Sequence, residues 1–278
     1  MFEFLDVLKN QAFMQNAVVI GLLASVACGV VGTYVVVRRI VFISGGISHT
    51  VLGGMGIAYY YGYDPIHGAV VSALIAALII GFVTLRFHQH EDTIIGALWA
   101  VGMAVGILFI YKTPGYNVDL MSYLFGNILM VERESVRLLV CLDAIIIILV
   151  LLFYKRFLAV CFDEEYSRLQ GVGVVGTYLL LLCLIAMTVV ILIQVVGIIL
   201  VIALLTLPAA TARHYARSLG QMMIMASLLG AVFTTSGLIV SYGPNLPAGA
   251  TIIVIAGLAY ILATAIKGFA LRFRGRNE

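Results

Sequence analysis

Charged residues are scarce in this sequence, whereas hydrophobic residues make up 63% of its 278 positions. Only 10% of the residues are Asp, Glu, Lys or Arg, compared with about a quarter in soluble globular domains. So few charges could not cover the surface of a water-soluble fold of this size. The composition therefore excludes a soluble globular protein and favours one that lies almost wholly in a lipid bilayer.

Motifs of soluble enzymes are also absent. The sequence has no G-x-x-x-x-G-K-[ST] loop, which excludes the usual phosphate cradle for ATP in this chain. Residues 171–176 match G-x-G-x-x-G, but no strand pattern precedes them, which favours close helix packing over a dinucleotide site. The four cysteines are scattered without a C-x-x-C pair. We therefore predict that the chain is not an enzyme and binds no cofactor permanently.

Long apolar runs are abundant. A helix needs about 20 apolar residues to cross roughly 30 Å of hydrocarbon, and backbone in lipid must form helices or a closed barrel. Residues 144–153 are apolar throughout, without the alternation of barrel strands. We predict an all-α polytopic membrane protein, one domain over residues 1–278, with about nine spans or alternatively eight. The predicted spans are 16–37, 41–62, 66–86, 94–112, 135–154, 174–194, 196–216, 220–242 and 248–268, with a re-entrant or surface helix at 117–131.

Basic residues indicate the orientation, because Lys and Arg concentrate in cytoplasmic loops. With the C-terminus inside, most of the 16 basic residues, including Arg38 and Lys267, fall on the inner side. We therefore predict a cytoplasmic C-terminus and an outer N-terminus.

A glycine-rich stretch around His49 is the first candidate functional element. At 1.5 Å per residue, His49 lies roughly 15 Å from the inner surface, near the membrane midplane. Ionisable residues at this depth are costly and indicate function. Neighbouring glycines permit unwinding or very close packing of the helix: Gly45, Gly46, Gly53 and Gly54. We interpret Ser48 and His49 as contacts on a translocation pathway or with a metal ion, the alternative being a neutral histidine bonded to a neighbouring helix.

A charged stretch on the inner side, residues 157–172, is the second element. Acids at its start and a basic residue later suit a short helix, which Gly171 would end. It is either an ordinary solvated connector or a docking element for a cytoplasmic partner. The candidate docking residues are Asp163, Glu164, Glu165, Tyr166, Arg168, Leu169 and Gly171.

Three further features carry weaker predictions. Pro208, inside a predicted span, frees a carbonyl group and kinks the helix. Asp143 lies mid-span, where it could be protonated, paired or close to a translocation pathway. His88 and His90 resemble a metal-binding tract, but residues two apart do not share a helix face, which favours a solvated loop.

Together these motifs resemble the permease subunits of bacterial ABC transporters that take up zinc, manganese or iron. The resemblance runs from roughly residue 15 to 268. Its landmarks are residues 47–49 with the following glycines, 162–165, 196–211 and 246–251. Each landmark is weak alone, but their order and spacing make the set specific.

The resemblance implies a fold like a reduced vitamin B12 importer permease, working as a homodimer in membrane lipid. It implies two cytoplasmic ATP-binding subunits and an extracellular or periplasmic metal-binding protein as partners, and no nucleic acid. ATP would be used by the partner ATPase, and Zn²⁺ or Mn²⁺ would be carried rather than held. Residues 163–172 would form the coupling helix that seats in the ATPase.

Position 45 bears on the choice of metal. Manganese and iron members of the family often carry Asp four residues before the histidine, where the two side chains share one helix face. Gly45 removes that oxygen ligand here, and imidazole suits zinc whereas manganese prefers carboxylates. We therefore expect zinc, with Asp143 as one candidate for a carboxylate from another helix. The alternatives are a manganese or iron importer of the same family and, less favoured, a secondary transporter driven by protons or sodium.

Overall fold

Helices form the regular secondary structure of the described residues, which are 7–87, 91–113, 128, 133–244 and 246–274 of the computed structural model. The helices are α1 (Ala12–Arg38), α2 (Ile43–Tyr60), α3 (Pro65–Phe87), α4 (Glu91–Lys112), α5 (Arg133–Phe162), α6 (Glu164–Leu169), α7 (Val174–Val196), α8 (Ile198–Ala212), α9 (Leu219–Tyr242) and α10 (Ala248–Arg274). No strand occurs in these residues. The predicted all-α class is confirmed.

Seven helices of the described chain are long and apolar enough to cross a membrane: α1, α3, α4, α5, α7, α9 and α10. The other two helices within predicted spans fall short of that standard. Glycine and polar residues lower the hydropathy of α2, which has 18 residues, and α8 has only 15. A multi-pass helical protein is therefore confirmed, whereas a count of nine spans is not.

The largest difference from the predicted boundaries is at α5. The predicted span ended at residue 154, but the helix continues to Phe162 and has 30 residues, about 45 Å. Lys155 and Arg156 interrupt the apolar run, but nothing in their chemistry ends a helix. The first part of the predicted segment 157–172 is therefore the end of α5. The predicted re-entrant helix and the pair His88 and His90 lie outside the described residues, apart from position 128.

One compact unit comprises Val37–Leu124 and Ile145–Gln194, and within it α2 packs against both α3 and α4. A methyl group on Gly53 would lie 2.7 Å from the carbonyl oxygen of Gly102, and one on Gly56 would lie 2.9 Å from that of Gly106. Gly54 faces α3. Contacts this short leave no room for side chains. The glycines of α2 thus allow close approach of backbones, and α2 is helical throughout rather than unwound.

The other compact unit comprises Met1–Val36, Phe125–Ala144 and Val195–Glu278. Within it α8, α9 and α10 pack against one another. α1 packs closely on α9, because a methyl group on Gly29 would lie 2.6 Å from Cα of Ser227. Gly197, with φ 84°, separates α7 from α8. Glycine adopts this left-handed conformation at little cost, which permits two helices with a single residue between them.

Large apolar side chains cover the outer faces of several helices. Leu151 and Leu152 on α5 and Leu262 and Ile266 on α10 are each more than 60% exposed. Water-soluble proteins rarely expose large contiguous apolar faces. Together with the seven apolar helices, these faces fit a chain embedded in lipid.

Candidate functional site

His49 lies in the second turn of α2, with 7% of its surface exposed. Its imidazole ring stacks on the indole ring of Trp99 from α4, with ring centroids 4.5 Å apart and an interplanar angle of 17°. Trp99 is the single tryptophan of the chain. The stack fixes the imidazole plane, which fixes the direction in which its two nitrogens point.

One ring nitrogen of His49, Nδ1, is buried and has no hydrogen-bond partner among the residues that the structure describes. Buried polar atoms are almost always satisfied, and an exception calls for a ligand, an ion or water. A metal or pathway contact at His49 stays a prediction, and the alternative of a histidine hydrogen-bonded to a neighbouring helix finds no support in the described contacts.

Gly45 lies one turn before His49 and directly beneath the indole. A methyl group on Gly45 would lie 3.0 Å from Cη2 and 3.1 Å from Cε3 of Trp99, and closer still to Cζ3. The space that a side chain at position 45 would need is therefore filled by Trp99. The indole of Trp99 thus occupies the place that a carboxylate at position 45 would take.

The hydroxyl groups beside His49 are committed to the backbone of α2. Ser48 Oγ donates to the carbonyl oxygen of Ser44 at 2.6 Å. Thr50 Oγ1 donates to the carbonyl oxygen of Gly46 at 2.8 Å and lies 3.3 Å from that of Leu98 on α4. Ser48 retains its lone pairs, so a role as an ion contact stays a prediction.

Asp143 is the second buried ionisable group, and it lies on α5 in the other compact unit. It is 5% exposed, and neither carboxylate oxygen has a hydrogen-bond partner among the described residues. Among all the described residues, no group of three or more His, Cys, Asp and Glu side chains lies close enough together to hold a metal ion. A role for Asp143 on the pathway stays a prediction.

The short helix α6 forms within the predicted docking segment, and its ends are defined by its own residues. Asp163 is the N-cap, with its carboxylate accepting from the backbone N–H of Tyr166 at 2.9 Å. Ser167 is fully buried and donates to the carbonyl oxygen of Asp163 at 2.6 Å. Gly171 follows with φ 73° and donates to the carbonyl oxygen of Arg168 at 3.1 Å. Short caps of this kind stabilise a helix that could not form alone.

The three consecutive acids of this segment, all predicted from the sequence as docking residues, have different surroundings. Asp163 caps the helix, Glu164 is half-buried and forms an ion pair with Arg38 at 2.7 Å, and Glu165 is exposed. Large apolar groups are exposed beside Glu165, since Tyr166 is 56% and Leu169 is 86% exposed. The outward surface of α6 is thus formed by Glu165, Tyr166, Arg168 and Leu169.

Pro208 lies inside α8 and is buried. The threonines nearby donate to backbone carbonyls one turn earlier, Thr206 to Ile202 and Thr211 to Leu207, each at 2.8 Å. Such bonds satisfy the hydroxyls in lipid. The kink proposed at Pro208 stays a prediction.

Sequence reasoning missed two residues of these sites. Trp99 carries no motif, and only its rarity marks it. Arg38 was counted toward orientation, although its charge is used within the fold.

A model of the ABC 3 transport family matches residues 10–267. The chain belongs to this family. Its resemblance to the permeases of bacterial metal-uptake ABC transporters is thereby confirmed, and the secondary-transporter alternative loses its support.

Relatives in the ABC 3 transport family cover nearly the whole chain. An uncharacterized membrane protein of Synechocystis is 49% identical over 92% of this chain and 91% of that protein. A Chlamydia muridarum protein named as a probable metal transport system membrane protein is 43% identical over 88% and 85%. A manganese transport system membrane protein of Listeria monocytogenes is 35% identical over 94% and 92%.

A solved structure gives the same fold. PsaBC from Streptococcus pneumoniae, in complex with Fab, superimposes with a TM-score of 0.83 and 34% sequence identity, covering 95% of both chains. The helical arrangement of this ABC 3 family member therefore matches an experimentally determined one.

Proposed function

We propose that the chain is the membrane-spanning permease of an ATP-driven importer that carries divalent transition metal ions into the cell. The observation that carries the proposal is the buried Nδ1 atom of His49, which lacks a partner among the described residues. A neutral imidazole nitrogen is a good ligand for such ions. A single protein ligand holds an ion weakly, which suits passage rather than storage.

ATP hydrolysis belongs to partner subunits in this proposal. The chain has no phosphate-binding loop, and α6 offers an exposed aromatic and apolar surface at Tyr166 and Leu169. We infer that two cytoplasmic ATP-binding subunits dock there on a homodimer of permeases. An external metal-binding protein would deliver the ion at the opposite face, with the C-terminus of the chain in the cytoplasm.

Zinc is the favoured substrate. Trp99 fills the space beside Gly45, so α2 offers the ion an imidazole without a carboxylate one turn away. Nitrogen ligands suit zinc, whereas manganese prefers oxygen. Manganese is the second candidate, because the Listeria relative is named for manganese transport.

Uptake by the reconstituted transporter tests both parts of the proposal. The permease, its ATPase and its binding protein would be placed in proteoliposomes, and ATP-dependent uptake of labelled Zn²⁺ measured with and without excess Mn²⁺. His49→Ala should slow uptake at least about tenfold, the loss of one charge-assisted ligand contact. His67→Ala is the matched control, since His67 is exposed on α3.

The outcomes separate cleanly. Zinc uptake that survives manganese and requires His49 supports a zinc importer. Zinc uptake abolished by Mn²⁺ would make manganese the assigned substrate and would leave the proposal of an importer unchanged. Equal rates for wild type and His49→Ala would show that the ion does not contact this imidazole.

A further inference from the structure

Three segments of one compact unit converge on the guanidinium group of Arg38. Nη2 of Arg38 forms an ion pair with Oε1 of Glu164 on α6 at 2.7 Å. Nη1 donates to the carbonyl oxygen of Val160, near the end of α5, at 3.2 Å. The guanidinium carbon lies 4.8 Å from the ring centroid of Tyr178 on α7. A planar cation can serve all three contacts at once, which a lysine could not do.

This ion pair is partly removed from solvent. The side chains of Arg38 and Glu164 are 14% and 29% exposed. Exposed ion pairs contribute little, because water and salt screen them, whereas breaking a shielded pair leaves an unpaired charge. The Arg38–Glu164 contact is therefore a specific attachment of α6.

Arg38 is the last residue of α1, and α2, which carries His49, begins shortly afterwards at Ile43. Arg39 follows with φ 64°, an uncommon conformation for a residue other than glycine. Backbone bonds then close the junction, with the N–H of Ile43 donating to the carbonyl of Ile40 at 2.9 Å and the N–H of Gly46 donating to that of Phe42 at 3.0 Å. These bonds join the turn after Arg39 to the first turn of α2.

We propose that the Arg38–Glu164 ion pair transmits displacement of α6 to the start of α2, so that ATPase movement at α6 reaches the turn carrying His49. Arg38 and Glu164 are positioning residues in this proposal, which rests on the proposed docking of an ATPase on α6. The two acids of α6 divide the work. Glu165 faces outward toward the partner, and Glu164 faces inward toward Arg38.

The test measures metal ions transported per ATP hydrolysed in the complete transporter reconstituted in proteoliposomes. Arg38→Gln and Glu164→Gln should retain the co-purifying ATPase and its hydrolysis, while uptake per ATP falls at least about fivefold. The swap of Arg38→Glu with Glu164→Arg should recover part of the loss. Arg39→Gln is the matched control, because Arg39 is adjacent, exposed and outside the ion pair.

Three results bear on the proposal. An unchanged transport ratio in Glu164→Gln, the milder variant, would overturn it. Loss of the ATPase from both single variants would also overturn it, because the pair would then be a docking anchor. Failure of the wild-type permease to bind an ATPase at all would instead refute the proposed function, and this is read from the wild type alone.

Discussion

Adding a single methyl group at Gly45 should destabilise the permease, because the indole of Trp99 occupies the required space. The added carbon would lie 3.0 Å and 3.1 Å from two ring atoms and nearer to a third, whereas ordinary contacts begin near 3.4 Å. An indole cannot yield by rotating one flexible end. It must shift as a whole, which also disturbs its stack on His49.

The size of the effect follows from these contacts. Overpacking of a close-packed site costs about 1–3 kcal/mol. A disturbed aromatic stack adds about 0.5–1.5 kcal/mol. Alanine is intrinsically better than glycine in a helix by about 1 kcal/mol, which offsets part of the loss. The net expectation for Gly45→Ala is a destabilisation of about 0.5–3.5 kcal/mol.

The assay is a double-mutant cycle on thermal unfolding of the purified permease in detergent. Gly45→Ala, Trp99→Ala and the double variant would be compared with wild type. Removing the indole opens the space, so Gly45→Ala should cost almost nothing in the Trp99→Ala background. Gly96→Ala on α4 is the control, since a methyl group there meets nothing within 4 Å.

The cycle gives a clear refutation. Equal losses from Gly45→Ala with and without the indole would mean that Trp99 does not fill this space. The link between the missing carboxylate and the tryptophan would then be lost, and with it the main structural support for zinc.

Three further predictions follow from the same sites. Gly45→Asp combined with Trp99→Ala should supply an oxygen ligand and make zinc uptake more sensitive to Mn²⁺ competition, which unchanged competition curves would contradict. Leu169→Glu should release the ATPase during co-purification. Asp163→Ala should weaken the cap of α6 by about 1 kcal/mol and reduce ATPase binding less. A larger loss of binding in Asp163→Ala would refute Leu169 as the docking contact and Asp163 as the cap. Asp143→Leu should raise the midpoint of thermal unfolding, because the described residues leave both carboxylate oxygens without a hydrogen bond; a lowered midpoint would indicate a partner.

The sequence predicted the helical class well because apolar composition and helix formation in lipid are physically linked. Boundaries were less predictable where helices leave the lipid. Hydropathy falls at Lys155, yet nothing there interrupts backbone hydrogen bonding, so α5 runs on to Phe162. The break at Gly197 was visible only as a glycine between apolar runs, and its left-handed backbone emerges from the fold.

The candidate site was half predictable, for a reason that lies in its contacts. His49 is conspicuous as an ionisable residue in an apolar run. Its stacking partner Trp99 is not, because a tryptophan within an apolar helix looks the same whether it faces lipid or a neighbouring helix. The partner of Arg38 lies 126 positions away along the chain. The N-cap at Asp163 sets which side of α6 faces Arg38. No sequence pattern predicts that Glu164, and not a neighbouring acid, forms the ion pair.

The length of α5 gives membrane thickness a direct mechanical consequence. A rod of about 45 Å in a hydrocarbon layer of roughly 30 Å must tilt or project beyond the lipid. Hydrophobic mismatch is relieved by changing the tilt. In the proposed orientation α6 follows α5 after a single residue at the cytoplasmic surface, so its distance from the headgroups changes with that tilt. Thicker or thinner lipid thus raises or lowers the platform on which a peripheral subunit would rest.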